Sequence, residues 1–467
     1  MKKYILPLAL AFLANMTVAA AYNDDDKNVL LITGSLTNCG ADSTRLYEYD
    51  GIGYHLIAQA LLEHNADGSN TFSLKVPKKL QRGVYFIGSD RNNVRTLVIG
   101  TEKGYTETAI RITGDCAQWK TATVVGAPDN ALLDMAMQQL AQLNNAAGQA
   151  VMNFRNANGD AAQTLKATEQ LRAIDIQKLA LLDSVGKVSP FVKAAVTLRT
   201  YISWYYDKKT YADELQYFGN EYFNYNDFKN IAYFEKMPLL SDAYREYTQT
   251  LGMVGMPPEV QRGFIDKALG KIPENSRAYK AALTGVMQAY IDKDATNFVH
   301  YAEQWLTKYG KESGEHTPGL KQRIAAVQSQ VLGGVAPDIK LGTPEGGEYA
   351  LSQLRGKVVL IDFWASWCGP CQAQLTHTKK LAEKYTEKGV VFIYISMDSD
   401  AEAWKYALKE KNLSGIHAND KTIIPLNFLI QGLPNCFIVG KNGKIAQNSM
   451  LRSKINDEKM IDYLLKM

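Results

Sequence analysis

The run Lys357-Val-Val-Leu-Ile-Asp-Phe-Trp-Ala-Ser-Trp-Cys-Gly-Pro-Cys371 decides how the carboxy-terminal third of this chain folds. Val358 to Phe363 is apolar except for Asp362. Such a run reads as a central strand buried on both faces. Behind it, Gln372 to Glu387 is rich in helix formers and carries apolar Leu375 and Leu381. Cys368-Gly369-Pro370-Cys371 therefore stands where a strand hands over to a helix. The first turn of a helix offers free backbone N–H groups and positive dipole charge, which favour a thiolate. That thiolate is the nucleophile in disulfide exchange. Gly369 leaves the sulfur unobstructed, and Pro370 fits a first helical turn, where its missing N–H costs little. The expected order is attack by Cys368 on a disulfide, then resolution of the mixed disulfide by Cys371.

Asp362 lies inside the buried run, six residues before Cys368. A carboxylate there is expensive without a task or a partner. The expectation is proton exchange with Cys371 during resolution, directly or through water. A hydrogen-bonded structural acid is the alternative.

Outward from this segment the pattern changes twice. From Val335 onward strands and helices alternate, the mark of an α/β domain, and Gly333-Gly334 precedes it. From Asn130 to about Leu332 apolar residues recur at helical spacing, as in Leu133, Met137, Leu140 and Leu143. Glycines and prolines, among them Gly159, Gly186, Pro190, Gly219 and Pro257-Pro258, divide this stretch into antiparallel helices of ordinary length. Its Tyr/Phe-rich part, Tyr201 to Tyr247, reads as helix–helix packing before it reads as a partner surface. From about Asn28 to Gly126 short β-rich runs recur: Val29–Ile32, Phe72–Val76, Val84–Ile87, Thr96–Ile99, Ala109–Thr113 and Thr121–Val125. Their even spacing predicts a β-sandwich or related all-β module. The expected architecture is multidomain: an all-β module over 22–126, an all-α region over 127–332 and an α/β domain over 333–467.

Residues 1–21 read as a cleaved secretory signal. Lys2 and Lys3 precede an apolar stretch from Ile5 to Val18, and Ala19-Ala20-Ala21 supplies small residues at the cleavage spacing. The stretch is too short to span a membrane comfortably. The mature protein is thus expected to be exported and soluble, in a periplasm-like compartment where disulfides persist. The five cysteines are Cys39, Cys116, Cys368, Cys371 and Cys436. Cys39 and Cys116 fall near ends of expected strands and form a candidate structural disulfide, provided their Cα atoms come within about 7 Å. Cys436 reads as a small buried hydrophobe, with a third redox contact as the alternative. The six histidines show no metal-ligand spacing with one another or with acids, so no metal is expected. No phosphate-binding loop or Ser-His-Asp pattern stands out. Nor is a cofactor needed, because cysteines carry the electrons. A net charge of +4 with both signs interspersed gives no basis for nucleic-acid binding.

Several segments beyond the dithiol are similar to the TlpA/ResA family of exported thioredoxin-like proteins. Ala336-Pro337-Asp338-Ile339 resembles that family's opening, Leu351 to Lys357 its lead-in, and Trp364 to Cys371 its active-site segment. Gly432-Leu433-Pro434, Phe437-Ile438-Val439 and Lys441 to Ile445 resemble the later part. The resemblance implies a thioredoxin fold for the α/β domain and thiol–disulfide oxidoreductase activity. It makes Pro434 the cis-proline facing the dithiol, with Trp367, Gly369, Pro370 and Leu433 as active-site neighbours. Physical reasoning agrees: cis bonds are nearly confined to X–Pro, and Pro434 precedes an apolar strand. The sequence departs from the family at Gln374 and Thr376, where relatives often carry Glu and many thioredoxin-like helices carry Pro. The missing acid removes one possible proton relay, so the redox poise is open to differ. The amino-terminal β region resembles, more softly, the DUF4369 domain that precedes such oxidoreductases in Bacteroidetes-type proteins.

Gly-Pro between the cysteines resembles reducing thioredoxins, near about −270 mV, rather than strong oxidants near about −120 mV. The leading expectation is a reductase of disulfide-containing client proteins, recharged by a membrane thiol electron donor. A disulfide isomerase, a thiol peroxidase-like activity and a non-enzymatic client-binding protein are the alternatives.

Overall fold

The computed structural model describes residues 29–77, 80–100, 109–207, 211–291, 293–311, 317–342, 347–449 and 456–467. The expected signal, residues 1–21, lies outside them. The chain divides into two compact units. One holds Met1–Tyr49, Gly53–Asn145 and Leu179–Val196, and the other holds Asp50–Ile52, Ala146–Lys178 and Thr197–Met467.

The first unit is built on strands β1 (Val29–Thr37), β2 (Ser43–Tyr49), β3 (Tyr54–Leu61), β4 (Glu63–His64), β5 (Asn70–Pro77), β6 (Gly83–Gly88), β7 (Val94–Ile99), β8 (Ala109–Asp115) and β9 (Thr123–Val125). They form two sheets, β4-β5-β1-β8-β9 and β3-β2-β6-β7. Alternate residues of both sheets, including Leu30, Ile32, Leu46, Leu74, Ile87 and Ile112, share one core around Trp119. Strands β2 and β3 escape the sequence reading because Arg45, Glu48, His55 and Gln59 dilute their apolar pattern. Thr121, read as strand, ends a 3-10 turn over Cys116–Thr121. Strands β1 and β8 run parallel, with Thr37 opposite Asp115, so Cys39 and Cys116 emerge at the same end of the sheet. They form a disulfide with 5.0 Å between Cα atoms. Asn130, at the start of the first helix, bonds the backbone of β7: its amide donates to Val98 O at 2.9 Å and its carbonyl accepts Val98 N–H at 2.8 Å.

Helices follow: α1 (Pro128–Asn156), α2 (Ala161–Val188), α3 (Pro190–Thr197), α4 (Trp204–Asp207), α5 (Glu214–Glu221), α6 (Leu239–Met253), α7 (Pro258–Leu269), α8 (Arg277–Tyr290), α9 (Ala295–Tyr309) and α10 (Thr317–Gln328). Gly186 and Gly219, read as breakers, lie inside α2 and α5. One glycine is imposed by packing. A Cβ at Gly285 would clash with the Ser241 carbonyl, so glycine lets α6 and α8 approach closely. The aromatic stretch packs inward. Tyr217, Phe223, Tyr244 and Tyr247 are buried, and Phe223 stacks on Tyr244 with centroids 4.3 Å apart. Two buried hydroxyls find backbone acceptors: Tyr244 donates to Ala268 O at 2.7 Å and Tyr247 to Gly219 O at 2.5 Å.

The second unit also buries an ion pair on α2. Lys178 lies 3.7 Å from Asp175 and donates to Tyr201 O at 2.9 Å. Asp175 accepts Ser203 Oγ–H at 2.6 Å and Ser203 N–H at 2.9 Å. Burial pushes the Asp175 carboxyl up and the Lys178 ammonium down, each offset in part by the other's charge. Removing one partner strands the other charge. Lys178→Met should therefore lower stability by about 3 kcal/mol. In urea unfolding the double variant Asp175→Asn/Lys178→Met should recover much of the loss. An unchanged midpoint for the single variant would refute this.

The carboxy-terminal part contains β10 (Lys340–Gly342), β11 (Glu348–Ala350), β12 (Val359–Trp364), α11 (Gly369–Tyr385), β13 (Val391–Ser396), α12 (Ala401–Lys411), β14 (Ile416–Asn419), α13 (Ile423–Asn427), β15 (Asn435–Val439), β16 (Ile445–Asn448) and α14 (Asp457–Lys466). Its main sheet runs β14-β13-β12-β15-β16. β12, β13 and β14 are parallel, while β15 is antiparallel to β12 and to β16. β12 is buried along its whole length. Side chains alternate across a strand. Val359, Ile361 and Phe363 accordingly enter one core, and Leu360 and Trp364 the other, with Cys368 and Cys371. This is a thioredoxin-like α/β domain. The chain after α10 joins its edge: Gly333 N–H donates to Ile445 O and Ile445 N–H to Gly334 O, each at 2.8 Å.

Candidate active site

Strand β12 and helix α11 place the dithiol. Cys368 is the N-cap of α11, in extended conformation with φ −85° and ψ 98°. The Cys371 N–H donates to Cys368 Sγ at 3.3 Å. The sulfur thus occupies the place where a cap oxygen would otherwise satisfy a free N–H. Cys368 and Cys371 are joined as a disulfide, with Cα atoms 5.3 Å apart. Cys368 is 5% exposed and Cys371 fully buried, so an approaching sulfur meets Cys368 first. Gly369 and Pro370 are exposed beside them, and Trp367 is 69% exposed, an uncovered indole at the rim.

The β alternation sets Asp362 on the same face as Leu360 and Trp364, toward the core that holds both sulfurs. Asp362 is buried, and its Oδ2 accepts Thr378 Oγ1–H at 3.0 Å from α11. Burial, and then the nearby Asp362 carboxylate, pushes the Tyr394 phenol up. Cys436 lies opposite Asp362 in the β12–β15 register and is a buried cysteine outside both disulfides, in the sulfur-containing core. The Leu433–Pro434 peptide is cis. Leu433 packs against the cores on both faces of the sheet, including the one that contains the dithiol. His377, on α11, pairs with Asp457 at 3.0 Å.

Sequence reading missed the acid that fixes the active-site turn. Asp398, nearly buried after β13, accepts Ser366 N–H at 2.9 Å and Ser366 Oγ–H at 2.7 Å. Ser396 Oγ–H donates to the same carboxylate at 2.6 Å. Ser366 sits two residues before Cys368, so this network anchors the Trp-Ala-Ser-Trp turn. Ser396-Met397-Asp398 at the end of an apolar strand was the available signal; nothing local tied it to Ser366. Thr378 was missed for the same reason. Among the described residues no cluster of His, Cys, Asp and Glu has the makings of a metal site.

Fold and dithiol together define a thioredoxin-fold redox domain, and a Redoxin family model matches residues 332–465. A thiol-disulfide oxidoreductase ResA of Bacillus cereus is 33% identical over 125 residues, covering 27% of this chain and 72% of that protein. The protein of the same name from Bacillus thuringiensis subsp. konkukian is 33% identical over 137 residues, 29% of this chain and 78% of that protein. By this domain the chain belongs to the ResA family of thiol-disulfide oxidoreductases. Among solved structures, a thiol-disulfide oxidoreductase from Bacteroides fragilis is 29% identical with a TM-score of 0.25, covering 28% of this chain and 97% of that one.

Proposed function

We propose that this protein is an exported reductase of protein disulfides, working through Cys368 as nucleophile and Cys371 as resolving thiol. The Cys368 thiolate attacks one sulfur of a client disulfide, and the displaced client sulfur leaves as a thiolate and takes a proton. Cys371, deprotonated toward Asp362, then attacks Cys368 Sγ and releases the second client sulfur. Two electrons and two protons reach the client, and a Cys368–Cys371 disulfide forms. A membrane dithiol donor would return the electrons. The observation that carries this reading is Cys368 at the head of α11, accepting the Cys371 N–H, with the more exposed of the two sulfurs. Pro434, with Leu433 before it, supplies the facing loop against which an extended client segment would pair. The sequence of residues 1–21 supports export, and among the described residues no helix is long and apolar enough to cross a membrane. Segment limits of 22–126, 127–332 and 333–467, a DUF4369-like character for the first of these segments, and a stabilising role for Cys39–Cys116 belong to the same proposal.

Insulin-type disulfide reduction, with a dithiol reductant, tests the activity. Turnover that follows protein concentration supports it; a rate equal to reductant alone sinks it. Asp362 has its own test. Positioned proton transfer is worth about 10²-fold or more. Asp362→Asn should slow resolution by about 10²-fold and leave the first attack near wild type. In single-turnover mixing the mixed disulfide should then accumulate. Equal rates for both steps in variant and wild type would leave Asp362 a structural acid.

A further inference from the structure

Beside the proposed client-facing loop lies a cleft of ≈ 500 Å³, lined by Leu429, Gln431, Gly432 and Asn435 on one side. Across from them stand residues of the helical segment, chiefly Tyr290, Lys293 and Phe298. Its volume is that of a ligand site rather than a packing defect. The near wall brackets Pro434 in sequence: Gly432 precedes the Leu433–Pro434 pair and Asn435 follows it. The far wall is made by Tyr290 of α8, by Lys293, and by Ala295 and Phe298 of α9, whose N-cap is Asp294. Asp294 Oδ1 accepts the Asn297 N–H at 2.9 Å.

The two walls are tied to one another. Gln330, which follows α10 and also lines the cleft, donates from its side chain to Phe428 O at 2.6 Å. Asn448 returns a bond to Gln330 O at 3.1 Å. Leu429 is held at φ 48°, in the left-handed region that a leucine seldom adopts, and such backbone positions cluster at ligand clamps. The charge of the lining is one-sided. Among the described residues that line the cleft, Lys293 is exposed and carries the one ionised group; Gln330, Gln431 and Asn435 supply neutral amides, and half-buried Leu429 supplies apolar surface, while Tyr290, Phe298 and Val327 are buried.

We infer that this cleft seats the client segment flanking the attacked cystine, and that it selects segments combining an apolar side chain with a carboxylate. The apolar side chain packs against Leu429, while the carboxylate faces Lys293. The helical segment is then the specificity wall of the reductase, and the thioredoxin-like domain alone would lack half of the groove. This rests on the reductase reading, since it takes the loop around Pro434 to face the reacting sulfur.

The test uses the full chain in its Cys371→Ser form and two cysteine peptides activated as mixed disulfides with thionitrobenzoate. The peptides differ only in carrying Phe-Glu or Phe-Lys beside the cysteine. Release of the coloured thiol reports attack by Cys368. Charges at a rim act mainly on association rate, so the glutamate peptide should react about tenfold faster at low salt. Lys293→Glu should reverse that order, and Lys293→Gln should flatten it. All three proteins should exchange once with bis(2-hydroxyethyl) disulfide, too small to span the cleft, each forming the Cys368 mixed disulfide and releasing one mercaptoethanol at one rate. If small-disulfide exchange is intact and Lys293→Glu leaves the peptide order unchanged, the cleft is not the client site. If the Cys371→Ser protein with Lys293 intact exchanges with neither peptide nor small disulfide, the reductase reading itself fails and takes this inference with it.

Discussion

Replacing Cys368 by serine should bring disulfide reduction by this protein down to the rate of the reductant alone. Removal of an attacking nucleophile leaves only binding, so a loss of about three orders of magnitude or more is expected. The geometry gives the reason. Cys368 is the N-cap of α11, receives the Cys371 N–H at 3.3 Å, and keeps the exposure that Cys371 lacks. A serine oxygen would take over the cap, so the helix should persist and the loss should be chemical rather than structural. Circular dichroism and the urea midpoint should stay close to those of the reduced wild type while insulin turnover vanishes. Turnover that survives the substitution would move the chemistry elsewhere, with Cys436, buried in the same core, as the first place to look.

The second large effect is expected in the β module. Cys39 and Cys116 close a loop with a sequence separation of 77. Loop-closure entropy for a cross-link of that span corresponds to about 4.5 kcal/mol of stability, acting mainly on the unfolded chain. Cys39→Ser/Cys116→Ser should lower the stability of that module by up to this amount, read as a shift in the urea transition of a β-module probe such as Trp119 fluorescence. Dithiothreitol should destabilise the wild type and leave the double variant unmoved. A double variant as stable as wild type would show that the bond contributes nothing beyond the core around Trp119.

The two cysteine pairs show how differently sequence can speak. The Cys368–Cys371 site was legible because every part is local: an apolar strand, two cysteines three apart, and a helix that follows at once. Asp362 was legible as an acid inside the buried run, while the face it shares with the sulfurs emerges from the fold. The Cys39–Cys116 pair could only be nominated, because their distance depends on β1 lying parallel beside β8, a pairing of segments far apart in the chain. No spacing announces that register. Strands β2 and β3 were lost for a related reason. Their inward residues include Leu46 and Ala58, but charged and amide side chains interrupt the pattern, so the β-rich run is short. The helical region yielded its class and hid its breaks. Gly186 and Gly219 read as interruptions, yet Gly219 sits inside α5 because Phe264 occupies the space a side chain would need. The Asp398 and Thr378 contacts, both of which shape the dithiol's surroundings, belong to tertiary approach and left no local trace.

The central claim is that one sulfur, Cys368, trades bonds with a client's cystine. Its most direct measurement is mass spectrometry of the reduced Cys371→Ser protein after mixing with oxidised insulin and quenching in acid. The expected product is a covalent adduct of one protein with one insulin molecule, mapped after digestion to Cys368 and released by dithiothreitol. No adduct, or an adduct mapped to Cys436, would contradict the assignment.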